Sequence, residues 1–126
     1  MSRRKTYKYE WAEALANVIQ SPKDFFEQCQ GKWLSDYFHN SNPIVLELGC
    51  GRGEYTNGLG RLFPEMNFIG VDVKGDRLAA GGREAVSLQL KNVAFLRIQI
   101  QFIEDFFLPN EIDEIWITFP DPRMKD

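Results

Sequence analysis

Histidine occurs once in these 126 residues and cysteine twice. His39 alone cannot build a metal cluster, and Cys29 and Cys50 are too few for a zinc site or a disulfide framework, so no metal is expected. Unpaired thiols suit a reducing compartment, which predicts a cytoplasmic location. Long apolar runs are also missing: none approaches the ~18 residues that would cross a bilayer, so no membrane partner is expected. The opening stretch MSRRKTYKYEW is basic but has no apolar segment behind it, which argues against a secretory signal. There is little excess of one charge, with 15 Lys and Arg against 18 Asp and Glu and a net charge of −3. That balance excludes a polyanion binder acting through bulk charge. Arg3, Arg4, Lys5 and Lys8 nevertheless cluster at the start, either as an arm for RNA phosphates or as a solvated tail. Repeats and low-complexity tracts are absent as well.

What remains is 44% apolar and 26% charged, the balance of one ordinary folded domain. Trp11, Leu15, Val18 and Ile19 recur at helical spacing and predict a first helix over 11–19. Ser21-Pro22-Lys23-Asp24 has the form of a helix start, with Ser as N-cap and Pro at the first position. That helix carries Phe25, Phe26 and Cys29 up to Gly31, and a second apolar turn follows over 33–38. From Pro43 the pattern becomes strand–helix–strand. Strands are expected at 44–48, 67–73, 93–98 and 113–119, and helices at about 54–63 and 76–90, with a short one near Ile103, Phe106 and Phe107. The alternation predicts an α/β fold, a doubly wound parallel sheet of Rossmann type. Residues 1–42 are read as a basic arm with helices, and 43–126 as the nucleotide-binding half of a domain.

The stretch VLELGCGRGEY, 45–55, places Gly49, Gly51 and Gly53 between a strand and a helix, where a ligand can approach the backbone. Asp72 closes the next strand, where an acidic side chain can accept from ribose hydroxyls or simply cap the helix after it. These features fit NAD(P) and S-adenosylmethionine alike. Charge separates the two. Glu54 stands where a dinucleotide fingerprint has its third glycine, beside the position of a pyrophosphate, and a carboxylate there repels a dianion. S-adenosylmethionine has no phosphate and carries an ammonium and a sulfonium, so Glu47 before the turn is a suitable counter-charge. Gln99, just past the third strand, is placed to meet an adenine edge or to face solvent, and Asn92 is a candidate cap for the helix before it.

The last residues, DEIWITFPDPRMKD, run from a strand into Pro120-Asp121-Pro122. Prolines on both sides of a carboxylate fix two φ angles and remove two backbone donors, so the strand must end there. In a doubly wound sheet this tip shares the carboxyl edge with the glycine turn and Asp72, which would bring Asp121 and Lys125 toward the ligand.

Taken in order, ELGCGRGEY, FIGVDVKGDRL, NVAFLR and ITFPDPRMKD resemble the bacterial tRNA (guanine-46-N7) methyltransferase family. The resemblance covers nearly the whole chain. It implies a class I S-adenosylmethionine-dependent methyltransferase fold, with S-adenosyl-L-methionine as cofactor and tRNA as partner. It implies cofactor contacts from Glu47, Asp72, Gln99 and Asp121, with Asp121 also catalytic and Lys125 touching substrate. Three departures stand out: Gln99-Ile100 replaces the usual Asp-Ala, Thr118 replaces a common Asn, and Arg123-Met124 replace Trp-Pro. The family pattern also continues past the fourth strand with further strands, basic residues and a Thr-x-x-Glu motif. A chain ending at Asp126 is therefore expected to lack the C-terminal strands, to expose the edge of its fourth strand to self-association, and to turn over poorly alone. The alternative functions are a non-catalytic cofactor-binding fragment and a methyltransferase for another substrate.

Overall fold

The computed structural model describes residues 15–117. Five parallel strands form one sheet: β1 (Val18–Ile19), β2 (Ile44–Leu48), β3 (Asn67–Asp72), β4 (Val93–Arg97) and β5 (Glu114–Ile117), in the order β1-β4-β3-β2-β5. Between them lie α1 (Asp24–Gln28), a π-helical turn α2 (Trp33–Phe38), α3 (Glu54–Leu62), α4 (Gly75–Ser87) and a 3-10 helix at Ile100–Asp105. The predicted α/β architecture is present, with strand order reversing between β2 and β5, whose register runs Val45↔Glu114 to Leu48↔Ile117.

Strand β2, IVLEL, is almost continuously apolar because both faces of the sheet are covered. Alternate residues bury on opposite sides. Ile44, Leu46, Ile69, Val71, Ala94 and Leu96 meet an aromatic layer from the N-terminal helices. Val45, Phe68, Val93 and Phe95 meet Leu78 and Ala85 of α4 and Leu59 of α3. Trp33 anchors the aromatic layer: it is fully buried, stacks on Phe107 at 5.3 Å, and donates its indole N–H to the Phe106 carbonyl at 3.0 Å. Burial of a ring that size contributes on the order of 3 kcal/mol, and the satisfied N–H removes the penalty of hiding it.

Three local expectations are corrected. The first helix does not extend to Ile19: Val18 and Ile19 are β1, paired with Phe95 and Leu96, while residues 11–14 lie outside the described part. Val18 packs on the α4 side and Ile19 on the aromatic side, the alternation of a strand, although their sequence spacing also suits a helix. Ser21 is not an N-cap, since α1 starts at Asp24 with Lys23 before it and no side-chain cap. Asn92 does not cap α4. Its Nδ2 donates to the carbonyls of Gly60, Phe63 and Met66 at 3.0, 3.2 and 2.9 Å, closing the end of α3 instead.

The strand expected at 113–119 is β5. It lies at a sheet edge and, among the described residues, pairs with β2 alone. Ile115, Trp116 and Ile117 are 54%, 41% and 59% exposed, so the edge is apolar as well as open. No helix among the described residues is long and apolar enough to cross a membrane.

Candidate functional site

The turn between β2 and α3 is made of backbone with left-handed φ angles: 75° at Gly49, 60° at Gly51 and 81° at Gly53. The amides of Gly49 and Cys50 both donate to the Val71 carbonyl, at 2.8 and 3.0 Å, which folds the chain back against β3. Gly53 then opens α3 as its N-cap. A Cβ there would lie 2.5 Å from Cε1 of the buried Phe95 ring, and a Cβ at Gly81 would lie 2.7 Å from the Arg52 carbonyl oxygen. Two glycines, one in the turn and one in α4, thus allow the helix, the ring and the turn to close on each other. Asn57 of α3 reinforces this by donating to the Gly81 carbonyl at 3.0 Å.

Asp72, at the end of β3, does more than the sequence indicates. Its Oδ2 accepts from the Gly51 amide at 2.8 Å, while Oδ1 accepts from Val73 at 2.7 Å and Lys74 at 3.1 Å. The carboxylate thus holds the turn and the residues leading into α4, whose N-cap Lys74 has no side-chain cap bond. A carboxylate has about four acceptor positions, so three backbone bonds leave room for one more donor.

Negative charge is concentrated at this turn. Glu47 is buried at 5% exposure and accepts from the Thr56 hydroxyl. The Cys50 thiol lies between the carboxylates. Burial is the main cause of its raised pKa, and Glu47, Asp72 and Glu54 each push it further up.

Beyond Asp72 the carboxyl edge opens into a cleft of 280 Å³ lined by Gln20, Ser21, Val73, Arg97, Ile98 and Gln99. Gln99 is exposed and precedes the 3-10 helix, so it does reach this edge. Arg97 and Gln20 are functional candidates that sequence reasoning missed. The only available signal was register: Arg97 pairs with Asp72 across β3 and β4, and the β1–β4 pairing puts Gln20 beside it. Asp121, Lys125, Thr118 and Phe119 lie outside the described residues. Of the other predicted site residues, Asp72 is hydrogen-bonded to the turn of Gly49, Gly51 and Gly53, Glu47 is buried against Thr56 of α3, and Gln99 lines the cleft beyond. Among the described residues, no group of three or more His, Cys, Asp or Glu could hold a metal.

The arrangement suits S-adenosylmethionine on its own chemistry. A Cβ built on Gly51 meets nothing within 4 Å, so space lies open beside the turn. Glu54 opens α3 where a pyrophosphate would need a positive helix end, a carboxylate that a phosphate-free cofactor tolerates.

Comparison with known proteins gives consistent results. A family described as "Putative methyltransferase" matches residues 41–126. The chain is 53% identical over 119 residues to the tRNA (guanine-N(7)-)-methyltransferase of Porphyromonas gingivalis, covering 90% of this chain and 49% of that one. It is 47% identical over 126 residues to the enzyme of the same name from Cytophaga hutchinsonii, covering 100% and 57%. It therefore spans about half the length of the curated relatives it matches. Among solved structures, an antibiotic-related methyltransferase superposes with a TM-score of 0.61 at 21% identity, over 73% of this chain and 48% of the other. That similarity shows the class I methyltransferase fold.

Proposed function

The chain belongs to the methyltransferase family that its match over residues 41–126 defines, alongside relatives that are tRNA (guanine-N(7)-)-methyltransferases, and from that premise we propose that it forms the cofactor-binding half of an S-adenosylmethionine-dependent enzyme that methylates N7 of guanine in tRNA, at position 46. The observation that carries this reading is the glycine turn itself, left-handed at Gly49, Gly51 and Gly53 and held from β3 by the Asp72 carboxylate. When bound, S-adenosylmethionine supplies an electrophilic methyl group on a sulfonium.

The protein's own residues then divide the work. Gly49, Gly51 and Gly53 give backbone contact, Asp72 offers its remaining acceptor position to the ribose, and Gln99 meets the base. Residues 43–126 make up this half, preceded by 1–42 with its basic arm. Guanine N7 has an in-plane lone pair and no proton, so the protein need not supply a general base. Two tasks remain: aligning the partners, and stabilising positive charge as it reaches the purine. The second is assigned to Asp121, held between its prolines, while Lys125 contacts the tRNA. Such an enzyme works in the cytoplasm.

Calorimetric titration of the chain with S-adenosylhomocysteine and with NAD⁺ tests the cofactor reading, which fails if NAD⁺ binds more tightly. Transfer of labelled methyl to unmodified tRNA by a protein of the relatives' full length, followed by chemical cleavage at 7-methylguanine, tests the substrate. Label at any other atom would refute it.

A further inference from the structure

The cleft beyond Asp72 contains a cation that neither the turn nor the core needs. Arg97 lies at the end of β4, with its guanidinium over the first residue of α4: a Cβ on Gly75 would sit 3.0 Å from Cζ. Nε donates to the Val73 carbonyl at 3.1 Å, and Nη1 donates to Oε1 of the buried Gln20 at 3.4 Å. A guanidinium has five N–H donors in a rigid plane. Two are engaged among the described residues, and these two fix the plane at the wall of the 280 Å³ cleft. Here three remain beside open space.

The apolar walls are equally informative. Val73, 44% exposed, and the more buried Ile98 both line the cleft, together with polar Gln20, Ser21, Arg97 and Gln99. That combination suits a flat heteroaromatic ring whose edge carries hydrogen-bond acceptors. The Asp72 carboxylate contacts the turn, and the Arg97 guanidinium stands in the cleft beyond it. A ligand with a cationic tail and an acceptor-rich base matches both ends at once.

We propose that Arg97 is a specificity-determining residue for the cofactor's purine, with its unengaged N–H groups donating to a ring nitrogen and its orientation set by Gln20 of the N-terminal strand segment. This rests on the cofactor reading above. It gives Gln20, which falls outside the matched family region, a positioning part in ligand recognition.

The test is calorimetry on the 126-residue chain with S-adenosylhomocysteine and its 1-deaza, 3-deaza and 7-deaza analogues, each replacing one ring nitrogen by C–H. Wild type should bind one analogue at least about tenfold more weakly, as loss of a hydrogen bond to a charged donor predicts. Arg97→Met should bind S-adenosylhomocysteine about tenfold or more weakly and show no further loss with that same analogue, whereas a merely structural arginine would leave the analogue penalty intact. Arg97→Lys keeps charge but not the fork, and should recover only part of the affinity. Equal binding of all three analogues by wild type overturns the proposal without any variant. An undiminished analogue penalty in Arg97→Met overturns it as well. If wild type binds no S-adenosylhomocysteine at all, the cofactor reading falls and the proposal with it; if wild type binds and Arg97→Met binds equally well, only the proposal falls.

Discussion

Oδ2 of Asp72 accepts a hydrogen bond of 2.8 Å from the amide of Gly51, linking the end of β3 to the turn after β2. The two residues lie 21 apart in the chain, and one carboxylate keeps the left-handed backbone of that turn in place while keeping an acceptor position for a ligand. On the proposed reading, the binding surface and its support are the same side chain.

A variant that removes this carboxylate should lose both functions together. Asp72→Ala is expected to weaken S-adenosylhomocysteine binding by about 1–3 kcal/mol and to lower folding stability by about 1 kcal/mol, the smaller figure because water can reach the freed Val73 and Lys74 amides. Calorimetry and urea denaturation measure the two separately. Unchanged affinity would remove Asp72 from the ribose.

Glycines inside helices should behave oppositely according to what they face. A Cβ at Gly58 meets nothing within 4 Å, so Gly58→Ala should stabilise the chain by up to about 1 kcal/mol. A Cβ at Gly81 meets the Arg52 carbonyl and the Phe95 ring, so Gly81→Ala should cost about 1–3 kcal/mol. Paired thermal melts would show shifts of opposite sign.

Much of this fold was legible in sequence because the signals were local. IVLEL between Pro43 and the glycine turn reads as a covered strand, and Pro64 marks where α3 has ended. The glycine turn and Asp72 are recognisable because their spacing reflects a backbone constraint. Where the reading failed, the deciding interaction was distant. Val18 and Ile19 become a strand only by pairing with Phe95 and Leu96, and Asn92 finds its carbonyls 26 to 32 residues earlier. Arg97 reads as an ordinary charged residue at a strand end until β1 brings Gln20 beside it.

Both cysteines are free and buried. Burial pushes the Cys29 thiol up to about 12 and raises Cys50 as well. In the unfolded chain a thiol titrates near about 8.5, so the folded state holds these protons more tightly. The stability tied to them is complete below that value and is lost as pH rises toward the folded pKa. Denaturation midpoints should therefore fall steadily above about pH 9, and a Cys29→Ala, Cys50→Ala double variant should show a shallower decline. In the native wild-type chain at pH 8, a thiol-specific chromogenic disulfide should react slowly, then react at two sites per chain in urea. Fast native reaction would contradict the burial of these thiols.

The electronegative turn makes a prediction that separates charge from shape. S-adenosylmethionine and S-adenosylhomocysteine share every group except the methyl on sulfur, so the ratio of their affinities reports on the sulfonium charge. Replacing Glu47 by Gln keeps an acceptor for the Thr56 hydroxyl and removes one negative charge from the buried side of the turn. At an effective dielectric of about 20 and a separation on the order of 10 Å, one such charge is worth about 1.7 kcal/mol to a sulfonium. Glu54→Gln should matter less, because Glu54 is exposed and solvent and salt screen it. The expected result is a fall in relative preference for S-adenosylmethionine of about tenfold to twentyfold for Glu47→Gln, smaller for Glu54→Gln, and shrinking in both at high salt. Local damage to the turn would weaken both ligands together and cancel in the ratio. If the ratio is the same in wild type and both variants, these carboxylates do not select for the cation, and the charge argument that favours S-adenosylmethionine over a dinucleotide loses its physical basis.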